Sequence, residues 1–230
     1  MKTNTHSAHT TTDCGKCEAK AKGFMCSTST AISEKISQFK AHCNYKAGES
    51  IFRDGDLPLG LFSVRSGIVK LESLNEDGDA HTLRLVGAGG ILGYRSFFQR
   101  DTYKKSAIAM EDTEVCFLPG KEVMKLFSDH SELGIKMINQ LSEDLKNAEA
   151  KWVDQIDKGA SARVADALLF LNERFNGSNW TRKEIAEWAG TTTETVIRSL
   201  AQFEKEGIIS QNYKNFVILS QTRLKEKAAA

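Results

Sequence analysis

The sequence predicts an α+β fold with three structured parts: an N-terminal β jelly-roll barrel, one long helix, and a C-terminal helical domain with a β-hairpin. Between Tyr45 and Leu118, clusters of turn-forming residues recur every several positions and separate short stretches of alternating apolar and polar residues. The segment from Ser131 to Lys158 contains no proline and has helical periodicity. After Gly159, two helix-start patterns precede short apolar stretches. A chain of 230 residues is long enough for two modest domains with separate cores.

Composition and charge describe an ordinary folded protein of an aqueous compartment. Hydrophobic residues make up 40% of the chain and charged residues 27%. No apolar run is long enough to cross a bilayer, and Met1 to Asp13 lacks the apolar stretch of a secretory signal. We therefore expect a cytoplasmic location, no membrane partner and five reduced cysteines. The sequence contains no nucleophile–base set, phosphate-binding loop or dinucleotide fingerprint, so we do not expect an enzyme.

The predicted parts divide the chain into four segments. They are a polar, cysteine-containing segment 1–29, the barrel domain 30–128, the long helix 129–158 and the C-terminal domain 159–230. A short helix from Ser33 to Phe39, capped by Ser33, is expected before the first strand. Within the barrel, Leu83 and Leu85 alternate with Thr82 and Arg84, and the two leucines are expected to face the core.

The long helix carries one apolar stripe. Ile138, Leu141, Leu145, Ala148 and Trp152 follow each other at intervals of three and four residues, which is the spacing of a coiled-coil seam. Since the helix joins two domains and has few other apolar residues, the stripe is expected to pack against a second copy of the chain. The alternative interpretation is that the helix packs on its own domain.

Two helix-start patterns indicate a helix-turn-helix in the C-terminal domain. Thr181 with Glu184, and Thr191 with Glu194, each fit the capping box Thr-x-x-Glu. Gly190 lies just before the second pattern. Two helix starts ten residues apart, with a glycine before the second, are what this motif requires.

The second of these helices is expected to present a base-reading face. Thr193, Glu194, Ile197 and Arg198 should point outward together. A carboxylate can accept from cytosine, a guanidinium can donate to guanine, and an apolar side chain can contact a thymine methyl group. The alternative interpretation is that Glu194 only completes its capping box and that Arg198 is its salt-bridge partner one turn later.

The surrounding residues favour DNA binding over the capping interpretation. Arg182 and Lys183 open the preceding helix, where phosphates are contacted. The apolar stretch from Phe216 to Leu219 is expected to form part of a wing. The charged stretch from Arg223 to Ala230 is expected to be a frayed tail.

These features resemble the CRP/FNR family of bacterial transcription regulators over almost the whole chain. The resemblance is carried by Ile51–Asp56 (IFRDGD), Val64–Gly67 (VRSG), Glu76–Asp79 (EDGD) and Thr181–Gly207. It implies a cyclic-nucleotide-binding-like β jelly-roll barrel, a long dimerisation helix and a C-terminal winged helix-turn-helix. It also implies a homodimer that binds double-stranded DNA and contacts RNA polymerase. Glu194 and Arg198 match the family's base-reading pair, which implies a palindromic site resembling TTGAT-N4-ATCAA, and Ile197 stands where FNR-type proteins usually carry Ser.

The same resemblance allows the cyclic-AMP branch to be tested. That branch uses Gly-Glu for the ribose and Arg-Ser for the cyclic phosphate, and the corresponding residues here are Gly90-Ile91 and Lys105-Ser106. Ile91 cannot supply the carboxylate that binds ribose hydroxyls. Lys105 lacks the bidentate fork of arginine. Cyclic-nucleotide sensing is therefore disfavoured.

The cysteines match the FNR-type branch, whose oxygen sensors hold a [4Fe–4S] cluster with three N-terminal cysteines and one from the barrel. Cys14, Cys17, Cys26 and Cys116 correspond to that set, which implies an oxygen- or nitric-oxide-sensitive cluster. The eight residues between Cys17 and Cys26 are more than the best-known members have. Cys43 has no matching role and is expected in the core.

Other interpretations of these residues remain open. Four cysteines can bind zinc, and Cys-x-x-Cys can be a redox dithiol. Cys116 can be a small buried hydrophobe. In that case the barrel would bind a small organic effector and the cysteines would be incidental. A haem ligand is a further alternative, for which His42 and His81 are the candidates.

Overall fold

The computed structural model describes residues 14, 17, 19, 23–25, 28–76, 78–212 and 215–229. The chain divides into two compact units. One unit contains the residues up to Leu74 together with Leu83–Gln140, and the other contains Asn75–Thr82 and the residues from Leu141 onward. No helix in the described ranges is long and apolar enough to span a membrane.

The N-terminal domain is built on two four-stranded sheets. Its elements are α1 (Thr30–Phe39), β1 (Ala41–Tyr45), β2 (Ser50–Phe52), β3 (Gly60–Ser66), β4 (Val69–Leu74), β5 (Ala80–Val86), β6 (Ile91–Leu92), α2 (Tyr94–Gln99), β7 (Ser106–Ala109), β8 (Thr113–Pro119) and α3 (Gly120–Asp129). The strand orders are β1-β8-β3-β6 and β2-β7-β4-β5. This arrangement confirms the predicted jelly roll.

An apolar core lies between the sheets and draws residues from both of them. Phe62, Val64 and Val115 contribute from one sheet, while Phe52 and Val69 contribute from the other. Cys43 is buried in the same cluster, as predicted. Along β3 all residues from Gly60 to Val64 are buried, which indicates that this strand is covered on both of its faces.

Two local expectations for this domain were wrong. Helix α1 begins before Ser33, because the Ser29 hydroxyl accepts from the Ile32 amide and caps it instead. Leu83 is 44% exposed, whereas Thr82 is buried. Strand β5 does not alternate strictly, since the consecutive Leu85 and Val86 are both buried. Helices α2 and α3 were not predicted, because each is short and buries too few residues to show a helical period.

The long helix α4 (Ser131–Asp157) begins where the sequence predicts and ends one residue earlier. Near its start, Leu133 and Met137 are buried in a second apolar cluster of the first unit. Phe24 and Met25, from the segment before α1, are buried in the same cluster. The beginning of α4 is therefore packed against the N-terminal segment.

The second unit is a winged helix-turn-helix. It contains α5 (Ala160–Arg174), α6 (Arg182–Ala189), α7 (Thr193–Lys205), β9 (Ile209–Gln211), β10 (Phe216–Ile218) and α8 (Gln221–Ala228). Strands β9 and β10 are antiparallel and form the predicted hairpin. The predicted frayed tail is wrong: α8 is capped by the Ser220 hydroxyl, buries Leu224 and packs on α5.

Candidate nucleic-acid interface and metal centre

The turn between α6 and α7 is fixed by a cap, a glycine and an arginine. The predicted capping box begins α6, with the Thr181 hydroxyl accepting from the Glu184 amide and the Glu184 carboxylate accepting from the Thr181 amide. Gly190 ends α6 with φ of 63°, a left-handed conformation that glycine adopts readily. Arg163 on α5 donates to the carbonyls of Ala189 and Gly190 at 3.0 and 3.1 Å.

The role of Arg163 was missed by the sequence analysis. A signal was present, because the residue lies between Ala162 and Val164, which are both buried. A charged residue beside the apolar face of a helix can satisfy nearby carbonyls with its guanidinium. Arg163 therefore closes the turn from outside the motif.

The start of α7 differs from the prediction by one residue. The helix is capped by Thr192, whose hydroxyl accepts from the Thr195 amide, so Thr191 is not the cap. Glu194 is consequently the second residue of the helix and not the return arm of a capping box. Hydrogen bonds from its own backbone amide and from the Thr192 hydroxyl lower the pKa of the Glu194 carboxyl. The carboxylate is thus held ionised at the start of the helix.

One face of α7 is buried and the other is open to solvent. Its buried residues are Val196, Ser199, Leu200 and Phe203. Glu194, Ile197 and Arg198 are exposed, and Thr193 is half-buried. The Arg198 guanidinium donates to the Thr195 hydroxyl at 3.2 Å, and no ion pair joins it to Glu194 in the described structure. These exposed side chains provide a hydrogen-bond acceptor, an apolar group and a guanidinium, which are the three kinds of group that contact base edges in the major groove.

The two basic residues at the start of α6 have different surroundings. Lys183 is largely exposed, with its ammonium 4.0 Å from the Glu187 carboxylate. Arg182 instead donates to the Gln211 side chain at 2.7 Å and to the Asn212 carbonyl at 3.5 Å. Arg182 therefore ties α6 to the wing, whereas Lys183 is available to solvent and counter-ions.

The predicted stripe on α4 is an exposed apolar face. The exposed fractions of Ile138, Leu145 and Trp152 are 62%, 59% and 69%, and Leu141 and Ala148 are also exposed. Ile135, Val153 and Ile156 extend the stripe and were not predicted. Burying large apolar side chains is favourable by about 1.5–3 kcal/mol each. This face therefore has the composition of an interface.

Two of the predicted metal ligands lie together at α1. Cys14 is buried, its sulfur accepts from the Lys40 ammonium at 3.0 Å, and its backbone amide donates to the Ser37 hydroxyl at 3.1 Å. The amide of Cys17 donates to the Cys14 carbonyl at 3.4 Å. Cys26 lies outside the described residues.

Cys116 lies on β8, directly opposite His42 on β1. Its sulfur is 3.8 Å from Nδ1 of His42. Burial raises the pKa of the Cys116 thiol to about 11, and the nearby Cys14 and Cys17 also raise it. Cys116 therefore shares an electrostatic neighbourhood with Cys14 and Cys17, and a metal would have to displace its proton.

The three candidate cysteines that the structure describes fit a thiolate centre in their chemistry but do not form a complete ligand set. Among the residues that the structure describes, no three His, Cys, Asp or Glu side chains converge closely enough to hold a metal ion. A cluster would draw on Cys14, Cys17 and Cys116 together with Cys26.

The positions that correspond to a cyclic-nucleotide pocket have other roles. The Ile91 side chain is fully buried in the apolar cluster around α1 and α4. The Ser106 hydroxyl accepts from the Asp54 amide at 3.1 Å. Ile91 therefore contributes to packing.

The fold and the exposed face of α7 define the class of the protein, a DNA-binding regulator that couples a winged helix-turn-helix to a jelly-roll domain. Residues 42–130 match the cyclic nucleotide-binding domain model, and residues 162–227 match the Crp-like helix-turn-helix domain model. The chain is 30% identical to the transcriptional activator protein anr of Pseudomonas aeruginosa, with 78% of this chain and 77% of that protein covered. It therefore belongs to the CRP/FNR family of transcription regulators and is not an enzyme.

Two further matches show which properties the similarity supports. The cyclic AMP receptor protein of Thermus thermophilus is 32% identical, with 72% of this chain and 77% of that protein covered. The structure of FixK2 from Bradyrhizobium japonicum superposes with a TM-score of 0.75 at 24% identity, covering 83% of this chain and 98% of that one. The second match supports the fold alone. The relatives establish the class of regulator and leave the effector open.

Proposed function

We propose that the protein is a homodimeric, sequence-specific transcription regulator controlled by an oxygen- or nitric-oxide-sensitive [4Fe–4S] cluster. The ligands would be Cys14, Cys17, Cys26 and Cys116. The observation that carries this proposal is that Lys40, just before β1, donates to the Cys14 sulfur at 3.0 Å, while Cys116 lies opposite His42, two residues further along the chain. The resemblance to FNR-type regulators supports the same ligand set.

In this proposal the cysteines attach the N-terminal segment to β8, and the segment in turn packs on α4. Phe24 and Met25 contact the cluster of apolar side chains that includes Leu133 and Met137. The cysteine thiolates would form bonds to the iron of a cluster that reacts with oxygen or nitric oxide. When those bonds are lost, Cys14 and Cys17 no longer hold the segment to Cys116, and the packing at the start of α4 changes.

The proposed dimer forms through the exposed stripe of α4. Two copies of Ile138, Leu141, Leu145, Ala148 and Trp152 would pack as a parallel seam. A two-fold axis along this seam relates the two α7 helices, so that each enters one of two successive major grooves. The proposed target is therefore palindromic and resembles TTGAT-N4-ATCAA.

Base readout is assigned to the exposed side of α7. Arg198 would donate to a guanine, Glu194 would accept from a cytosine, and Ile197 and Thr193 would contact neighbouring bases. Lys183 would contact phosphate, and Arg182 would support the wing that flanks the groove. RNA polymerase is the expected protein partner, from the resemblance to the family.

A second candidate is a regulator whose barrel binds a small organic effector. The relative named cyclic AMP receptor protein favours it. The buried Ile91 side chain makes a cyclic nucleotide a poor fit for that effector. In this candidate the cysteines would have no regulatory role.

Anaerobic purification of the full chain distinguishes the two candidates. The cluster proposal predicts a brown protein with about four iron and four sulfide per chain, and with absorption that is lost on exposure to air. Cys26→Ser and Cys116→Ser should each lose iron, whereas Cys43→Ser should retain it, because Cys43 is buried in the barrel core. A colourless wild-type protein without iron would instead support the organic effector.

A further inference from the structure

His42 is a polar residue beside the proposed metal centre that the family resemblance does not assign. It is paired with Cys116 across β1 and β8, and Nδ1 of its ring is 3.8 Å from the Cys116 sulfur. Because paired residues of adjacent strands have their side chains on the same face of the sheet, the imidazole and the thiol are neighbours by register. Their proximity is therefore a property of the sheet.

The His42 ring has a buried nitrogen that is not satisfied within the described structure. Nε2 is inaccessible to solvent and has no hydrogen-bond partner there. A buried polar atom without a partner has lost its hydrogen bonds to water and gained none in exchange. Such an atom is unusual in a folded protein, and it leaves Nδ1 as the ring nitrogen with a described partner.

The charged residues near His42 are engaged with other groups. Arg65 and Glu114 form an ion pair at 2.8 Å. The Lys40 ammonium donates to the Cys14 sulfur at 3.0 Å. The described contacts of the imidazole are therefore directed at the Cys116 sulfur.

We propose that His42 is a positioning residue for the cluster, which donates its Nδ1–H to the sulfur of Cys116 when that sulfur is a thiolate ligand. The inference rests on the proposed [4Fe–4S] site. Hydrogen bonds to ligand sulfurs help to set the reduction potential of such clusters, since they stabilise the added negative charge. Partners of this kind also orient the ligand and slow its loss from the metal.

Two substitutions and a control test this role. His42→Phe removes the donor, His42→Asn returns an N–H group close to the ligand sulfur, and His81→Phe removes an exposed histidine as the matched control. Each anaerobically prepared protein is analysed for iron and sulfide. The midpoint potential is measured by redox titration, and the decay of cluster absorption is followed after a defined addition of oxygen.

We expect His42→Phe to retain its iron, to have a lower midpoint potential, and to lose its cluster in oxygen on the order of tenfold faster. His42→Asn should recover part of both properties, and His81→Phe should match the wild type. If His42→Phe does not fold, His42→Leu provides the same comparison with a smaller side chain. Far-UV circular dichroism confirms that each variant is folded.

Three outcomes would overturn the inference. Wild-type potential and decay rate in His42→Phe would show that the imidazole does not act on the cluster. Loss of iron from folded His42→Phe, with retention in Cys26→Ser, would make His42 a direct ligand. A wild-type protein that binds no iron would overturn the cluster proposal and the role of His42 with it.

Discussion

Lys136 binds Phe24 in two ways: its ammonium donates to the Phe24 carbonyl at 2.5 Å and lies 5.3 Å from the centre of the Phe24 ring. The Phe24 amide donates in turn to the Gly89 carbonyl at 3.0 Å. The segment that contains the N-terminal cysteines is therefore held against α4 and the barrel at a defined point. Any change in the position of this segment acts directly on the first turns of α4.

Substitution of Phe24 tests this attachment. Phe24→Ala should destabilise the first unit by about 3 kcal/mol, because a buried aromatic ring is removed from a packed cluster. It should also increase hydrogen exchange of the amides around Leu133 and Met137. Urea unfolding and exchange measured by mass spectrometry provide the two readouts. Leu59→Ala is the control, since Leu59 is 75% exposed, and equal effects of the two substitutions would refute the attachment.

Base readout by α7 predicts that substitution of a base-contacting residue changes sequence specificity, whereas substitution of a phosphate-contacting residue changes the affinity for all sequences. Arg198→Ala should cost roughly 1–3 kcal/mol per half-site and relax the preference for guanine, because it removes a bidentate contact. Lys183→Ala should weaken binding to all sequences alike and reduce the slope of affinity against salt by about two for the dimer, because each chain loses one phosphate contact. Titrations with matched and mismatched half-sites at several salt concentrations measure both effects. Unchanged discrimination in Arg198→Ala would mean that the residue has only a helix-start role.

The exposed stripe of α4 predicts that one carboxylate is enough to separate the dimer. Leu145→Glu should give monomers, since two like charges would be buried without partners across the two-fold axis. Asn147→Glu introduces the same charge at an exposed position off the seam and should remain dimeric. Sedimentation velocity at micromolar concentration distinguishes the species. A dimeric Leu145→Glu protein would place the interface elsewhere.

Ala148 predicts that dimerisation does not require the metal centre. FNR-type proteins can carry an acidic residue near this position, where it repels its copy, and an alanine side chain has no charge to repel. The apoprotein and Cys116→Ser should therefore sediment as dimers. Ala148→Asp should make dimerisation of the apoprotein much weaker. Monomeric wild-type apoprotein at micromolar concentration would contradict the prediction.

The environment of Lys151 predicts that the stability of the second unit depends on pH. Its ammonium lies 3.6 Å from the centre of the Trp188 ring, and burial lowers its pKa to about 8. An unfolded lysine has a pKa near 10.4, so between about pH 8 and 10.4 the unfolded chain binds more protons than the folded one. The contribution of Lys151 to the free energy of unfolding therefore rises with pH across this window. Below about pH 8 the lysine is charged in both states, and the full cost of burying that charge lowers the stability of the folded state.

The pH effect is isolated by comparison with Lys151→Met and Lys151→Arg. Methionine removes the charge, and arginine keeps it at every pH used. The wild type should gain stability relative to both variants as the pH rises from 8 to 10. Urea unfolding followed by tryptophan fluorescence measures the difference. Parallel pH profiles for the three proteins would show that Lys151 retains an ordinary pKa.

Elements with a strong period of apolar residues or a local capping pattern were predictable from the sequence, whereas contacts between residues far apart in the chain were not. The stripe of α4 and the capping box at Thr181 are local patterns, and the structure has both. The cap of α7 was misplaced because Thr191 is the one of three consecutive threonines with a glutamate three residues later, whereas the backbone geometry makes Thr192 the cap. Helix α8 was missed because Glu206, which pairs with Lys227 and Arg223, lies far from it in sequence.

The cysteine site shows the same limit. The resemblance to FNR-type regulators identified Cys116 as a candidate, but the register of β1 against β8, which brings His42 to it, depends on pairing between strands that are far apart in the chain. Arg182 was assigned to phosphate because it opens a helix, and its contacts with Gln211 and Asn212 depend on the position of the wing. Such tertiary relationships are set by packing and leave no local periodicity to recognise.

The division of α7 into a buried face and an exposed one has an evolutionary consequence. Glu194, Ile197 and Arg198 are exposed, while Val196, Leu200 and Phe203 hold the helix in place. Substitutions at exposed positions usually change folding stability by no more than about 0.5 kcal/mol. A duplicated copy of this gene could therefore acquire a new set of operators through changes at three codons, without first passing through an unstable intermediate.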